Sequence, residues 1–145
     1  MTIPLLILGD GPDLHGGLSR IGQDLAWQLS ALPEIRLGYL GRAGFGRAKF
    51  PWTQYSYPAN AQWGEDFIEN AWTDLAQGQR GVVLTIWDAS RLLWFADPKG
   101  MPEGLQRFLN GDRFEKWGYF MQDSMGVNHG RLPSEAQHVM ERYDR

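Results

Sequence analysis

Ile3 to Leu8 is an unbroken apolar run closed by Gly9-Asp10-Gly11-Pro12. Such a short run between turn residues predicts a strand buried on both faces. Leu18, Ile21, Leu25, Leu29 and Leu32 then recur at offsets of three, seven, eleven and fourteen. That is one stripe of a helix of about four turns, with Ser19, Gln23, Asp24 and Ser30 off the stripe and Pro33 as its end. Ile35 to Leu40, closed by Gly41, predicts a second strand. Thr53 to Tyr57, between Pro51 and Pro58, predicts a short edge strand.

The second half repeats the alternation. Phe67, Ile68, Ala71, Trp72, Leu75 and Ala76 form a helical stripe, with Glu65 and Asp66 at its positive end and Gly78 just past its last turn. Trp72, and later Trp94 and Phe95, fit buried helix faces. Val82 to Trp87 is the clearest strand, and Asp88 stands where an N-cap would precede a helix over Arg91 to Phe95. Trp117 to Met121 reads as the last strand. Ser134-Glu135-Ala136-Gln137 matches a capping box that opens a final helix, with Ala136, Val139, Met140 and Tyr143 on its buried side. Outside the short strand, 42–60 and 97–112 read as loops.

Strands alternating with helices predict one α/β domain over 1–145, a Rossmann-like open, mostly parallel sheet with helices on both faces. The chain reaches Arg145 just past a helix, where the alternation calls for another strand. A domain incomplete at its carboxyl end is therefore expected.

Composition narrows the function. A net charge of −3 argues against a general nucleic-acid binder, and the absence of cysteine excludes thiol catalysis and Cys-based zinc sites. The apolar run at the amino end is too short to span a bilayer, with no basic region before it and no small-residue cleavage site after it. No integral membrane segment and a cytoplasmic location are expected. Three scattered histidines assemble no metal site, so no metal is expected.

Ligands of open α/β sheets bind beyond the carboxyl ends of the strands. Residues 9–17, 41–47, 87–91 and 122–131 meet that description. The first is the most specific. Gly16 and Gly17 open a helix, where bare backbone amides can approach an anion such as a diphosphate. The same glycines would also serve a tight turn and close helix–strand packing. Gly9-x-Gly11 lacks a third glycine, because Leu14 stands in its place, and no acidic residue follows the second strand. The dinucleotide motif is thus poorly matched, with an NADP reading through Arg42 left as an alternative.

His15 is a candidate hydrogen-bond donor to a phosphate, or a base, since free imidazole titrates near neutrality. It reads equally as an exposed loop histidine. Asp88 and Asp123 follow strands and could hold an acceptor hydroxyl, and His129 falls in the same edge region. Arg42 and Arg47 with Phe45, Phe50 and Trp52 make a basic-aromatic loop that could stack on a sugar or pack onto the sheet. His138 falls on the polar side of the last helix and reads as solvated.

Two separated stretches carry a family resemblance. The strand 3–9 with His15-Gly16-Gly17-Leu18-Ser19-Arg20-Ile21-Gly22-Gln23-Asp24-Leu25-Ala26 resembles the glycine loop and first helix of GT-B glycosyltransferases of glycosyltransferase family 4. Tyr119-Phe120-Met121-Gln122-Asp123, Leu132-Pro133 and Arg142-Tyr143-Asp144-Arg145 are similar to a later strand, acidic loop and helix end of those enzymes. The resemblance implies the N-terminal, acceptor-side half of a two-domain enzyme. Gly16 and Gly17 would reach the donor's phosphates, a nucleotide-sugar would be substrate rather than cofactor, and no metal would be needed. The C-terminal domain, or a partner chain, would hold the donor with a carboxylate and a basic pair. Those have no counterpart in 145 residues, so transfer by this chain alone is not expected. A non-catalytic module that binds a partner chain and a small NADP-binding oxidoreductase-like domain remain the alternatives.

Overall fold

The computed structural model of the chain describes residues 1–43, 49–121 and 132–145. Its strands are β1 (Ile3–Asp10), β2 (Ile35–Arg42), β3 (Thr53–Tyr57), β4 (Gly81–Ile86) and β5 (Phe114–Tyr119). They form one sheet in the order β3-β2-β1-β4-β5, and every pairing is parallel. The helices are α1 (Gly17–Ser30), α2 (Ile68–Ala76), α3 (Leu93–Ala96), α4 (Glu103–Asn110) and α5 (Ser134–Met140), with a 3₁₀ turn at Ala89–Arg91 before α3. The predicted α/β class holds: this is a Rossmann-like open sheet with helices on both faces.

β1 lies at the centre, in register with β2 from Ile3↔Ile35 to Asp10↔Arg42 and with β4 from Leu5↔Val82 to Gly9↔Ile86. A strand paired on both edges and covered on both faces has no use for polar side chains, which explains its continuous apolar run. Leu6 and Leu8 point to one face, Leu5 and Ile7 to the other. Each such buried side chain stabilises the fold by about 1.5–3 kcal/mol.

α1 covers the Leu5/Ile7 face, but not as its leucine stripe predicts. Its deepest residues are Ser19, Gly22 and Ala26, while Leu18, Ile21, Leu25 and Leu29 flank them, half-buried. Gly22 is the point of closest approach, where a Cβ would collide with Tyr39 Oη. Small residues let the helix axis come close, and the leucines straddle the contact. Leu32 lies beyond the helix end and is exposed.

The other face carries the remaining helices. α2 buries Ile68, Ala71, Trp72, Leu75 and Ala76, as its periodicity predicts. It ends through Gln77 and Gly78 at φ 50° and 83°, the left-handed exit that the glycine allows. Trp94 and Phe95 are buried on α3.

Four expectations are corrected here. Residues 97–112 contain α4, whose Leu105, Phe108 and Leu109 are buried. The last strand begins at Phe114 and ends at Tyr119 rather than Met121. The helix expected after Asp88 is split into the 3₁₀ turn and α3, and Asp88 makes no side-chain cap bond. The capping box also fails, because Pro133 holds the N-cap position of α5 and Ser134 is already helical.

The outer edge of β5 is occupied. Asp144 N–H donates to Lys116 O at 2.7 Å, Gly118 N–H donates to Arg145 O at 2.9 Å, and Lys116 N–H donates to Asp144 Oδ2 at 2.7 Å. Among the described residues, no helix is long and apolar enough to cross a membrane.

Candidate functional site at the carboxyl edge of the sheet

The chain builds outward from β1 through β2 to β3, then returns to place β4 on the other side of β1. That reversal makes a switch point between β1 and β4, where open α/β sheets take their ligands. The turn after β1 and the turn after β4 flank it.

The turn after β1 is anchored at its base and open at its tip. Tyr39 Oη donates to Asp10 O at 2.9 Å, Trp87 Nε1 donates to Asp10 Oδ1 at 3.1 Å, and Gly11 N–H donates to Arg42 O at 2.8 Å. Burial, with Asp10 nearby, holds the Tyr39 hydroxyl well above the ordinary tyrosine range, so it stays a neutral donor. Gly11 and Pro12 are buried, and Leu14 to Gly17 are exposed.

At the tip, a Cβ placed on Gly16 or Gly17 would meet no atom of the described residues within 4 Å, and Gly16 has ordinary extended geometry at φ −178°. Among the described residues, neither packing nor backbone strain requires a glycine at either position. The first helical bond runs from Arg20 N–H to Gly16 O at 3.0 Å. By helix geometry the amides of Gly17, Leu18 and Ser19 have no helical acceptor. His15, Gly16 and Gly17 line an open depression of about 560 Å³ with Leu14, Arg20, Gln23 and Asp24. Arg20 escaped the sequence reading as a site residue, although its place one turn past the glycines is a usable signal.

The other candidates gather around a residue the sequence reading left out. Trp63, in the segment after β3, has the Arg42 guanidinium 4.5 Å and the Arg91 guanidinium 4.6 Å from its ring centre. Its ring meets Trp87 edge-on at 5.6 Å. Arg91 Nε lies 3.8 Å from Asp88 Oδ2, so Arg42, Asp88 and Arg91 share one cation–π cluster. Arg42 is engaged further, donating to Ala59 O at 2.7 Å and Gln62 O at 3.0 Å. Trp63 carried no periodic signal, because it sits in an irregular segment shaped by positive φ at Gln62 and Gly64.

Trp52 is corrected as an acceptor platform. It precedes β3 rather than following it and is buried, with Phe50 stacked at 4.5 Å, Trp27 edge-on at 5.5 Å and Tyr39 at 6.3 Å. No free ring face remains for a sugar. Asp123, His129, Phe45 and Arg47 lie outside the described residues.

His138 is not simply solvated. Its Nε2 lies 2.9 Å from Asp97 Oδ2 and 3.3 Å from Arg142 Nε, and Arg142 Nη2 lies 3.5 Å from the same Asp97 oxygen. A protonated Nε2 donates to Asp97, and a bare Nε2 accepts from Arg142. The hydrogen bond from His138, helped by Lys99 and Arg142, holds the Asp97 carboxyl below its ordinary value of 3.8. A carboxyl depressed in the folded state adds stability above its unfolded pKa and loses it as pH falls through the folded one. Asp97→Asn should therefore flatten the loss of thermal stability on acidification below about pH 4, read by melting curves across that range. An unchanged acid limb would show that the pair does not contribute.

The fold and this edge define a Rossmann-like α/β domain with an open glycine turn at its topological switch point. No family model, curated protein or solved structure matches the chain.

Proposed function

We propose that the chain is the acceptor-side lobe of a GT-B glycosyltransferase similar to glycosyltransferase family 4, acting on a nucleotide-sugar donor held by a second lobe. The observation that carries this reading is the pair of exposed glycines, Gly16 and Gly17. No contact among the described residues requires either of them to lack a side chain. Glycine there leaves room for a ligand, and three amides without a helical acceptor favour an anion. In sugar transfer, negative charge builds on the departing diphosphate. Fixed amide dipoles aimed at it lower the barrier without reorganising. Arg20 lines the same depression and adds a cation. His15 stands beside the glycines as a further hydrogen-bond donor to a phosphate, and Asp88 and Asp123 are the candidates for the acceptor hydroxyl.

The alternatives have less support. Arg42, which an NADP reading needs, is engaged with two carbonyls and Trp63. The β5 edge, which a strand-pairing partner would use, is engaged by Asp144 and Arg145.

Titrating the ¹⁵N-labelled chain with UDP or GDP tests the proposal. Saturable shifts of the Gly16–Ser19 amides at millimolar nucleotide are expected, the weak end of affinity that one lobe alone supplies. Shifts elsewhere, or none, would remove the loop from this role.

A further inference from the structure

On the face away from α1, between α3 and α5, lies an open depression of about 680 Å³ that the sugar-transfer reading does not use. Its size falls among small-molecule sites, which hold roughly 300–1,000 Å³. Leu93 and Trp94 of α3 line it with Met101, and Ser134, Glu135 and His138 of α5 stand opposite. Asp97 lines it too, and the 2.9 Å contact between Asp97 Oδ2 and His138 Nε2 ties the segment after α3 to α5. The walls are thereby held together before any ligand arrives.

One of the lining residues carries an unmet bond. Trp94 is 8% exposed, and its Nε1 is buried with no hydrogen-bond partner. Trp52 and Trp87, buried as deeply, donate to Gln54 Oε1 at 2.9 Å and to Asp10 Oδ1 at 3.1 Å. An interior N–H left without an acceptor is costly, and such a group in a folded chain marks a place where something else supplies one. Met101, an unbranched and adaptable side chain on the same depression, lets it reshape around an occupant.

Charge at the rim narrows what that occupant is. Asp97 is already engaged by His138 and by Arg142 Nη2 at 3.5 Å. Glu135 and Lys99 remain, one of each sign and both exposed. Neither an anion nor a cation finds an unopposed partner among them. We propose that the depression binds a small neutral molecule with an apolar body and a carbonyl oxygen, such as an aryl amide or ester. The body lies against Leu93 and Met101, and the oxygen accepts the hydrogen bond from Trp94 Nε1.

Acetanilide has this chemistry: a phenyl ring and one amide carbonyl, without charge. Titrated into the ¹⁵N-labelled chain, it should move the Trp94 indole N–H resonance downfield and saturate at millimolar concentration, as ligands of its size do. The chain has seven tryptophans, so Trp94→Phe assigns the resonance by its loss. The same variant keeps an aromatic wall and drops the donor. It should weaken acetanilide by about two- to tenfold, read from the Met101 methyl signal. Ethylbenzene, which lacks the oxygen, should not move the indole downfield, and benzoate and benzylammonium should bind more weakly than acetanilide. An indole resonance that stays in place throughout the titration, as it would if an ordered water already held it, would overturn the proposal. So would a Trp94→Phe chain that binds acetanilide as tightly as the wild type. Benzoate or benzylammonium binding as tightly as acetanilide would overturn the neutral ligand.

Discussion

Gly17→Asp should remove diphosphate binding at the turn after β1 and leave the fold as stable as before, or slightly more so. The two effects have opposite signs for one reason. Aspartate in the first turn of α1 faces the positive end of the helix, worth about 0.3–1 kcal/mol of stability. Among the described residues the side chain enters open space, since none of their atoms lies within 4 Å of the position its Cβ would take. The same charge stands where the phosphate should sit. At about 4 Å, like-charge repulsion costs on the order of 1–4 kcal/mol between bulk water and a protein surface. Affinity should thus fall by about five- to several-hundred-fold. Calorimetric titration with UDP or GDP, paired with a thermal melt, reads both quantities. Retained affinity would mean that the glycine turn does not bind the donor. Lost affinity with a lowered melting temperature would mean that the residue is structural.

The second large effect concerns Trp87, which is fully buried between the core and the switch point. Trp87→Ala should cost about 3–5 kcal/mol, as deletion of a buried aromatic does. Trp87→Phe separates packing from polarity. It keeps most of the ring but withdraws the indole N–H from Asp10 Oδ1. Leaving that carboxylate oxygen short of a donor should cost about 1–3 kcal/mol. Urea unfolding would show both as shifts in midpoint at constant slope. If Trp87→Phe matched the wild type, the indole bond would be irrelevant to the turn's base.

The legible parts of the fold are those where periodicity and burial have a single cause. β1, β4 and α2 are read correctly because their side chains have one environment each. α1 is read in type but not in face, since a leucine stripe predicts which residues are apolar, not which come closest to the sheet. Gly22 and Ser19 go deepest because of their size. α4 is missed because Pro98, Gly100, Pro102 and Gly104 mark a loop. Pro102 instead supplies the N-cap, and Gln106 Nε2 braces the entry by donating to Met101 O at 2.7 Å. The Ser134 box fails because the helix starts one residue early, behind Pro133.

The site divides in the same way. Gly16 and Gly17 can be found because a strand-to-helix junction is local information. Trp63 and Arg91 cannot be found, since residues after β3 and β4 meet only through the folded order of the strands. Trp52 stays open between two readings for the converse reason: an aromatic-rich loop reads alike whether its rings face solvent or one another, and the structure selects packing.

One contact ties the helix interface to the site. Position 22 and the hydroxyl of Tyr39 claim the same volume, and that hydroxyl grips the Asp10 carbonyl at the root of the glycine turn. The two positions are therefore sterically coupled. A bulkier residue at 22 demands a shorter ring at 39, and the shorter ring lets go of the turn. The sheet-facing side of α1 is thereby linked, through one hydroxyl, to the shape of the turn.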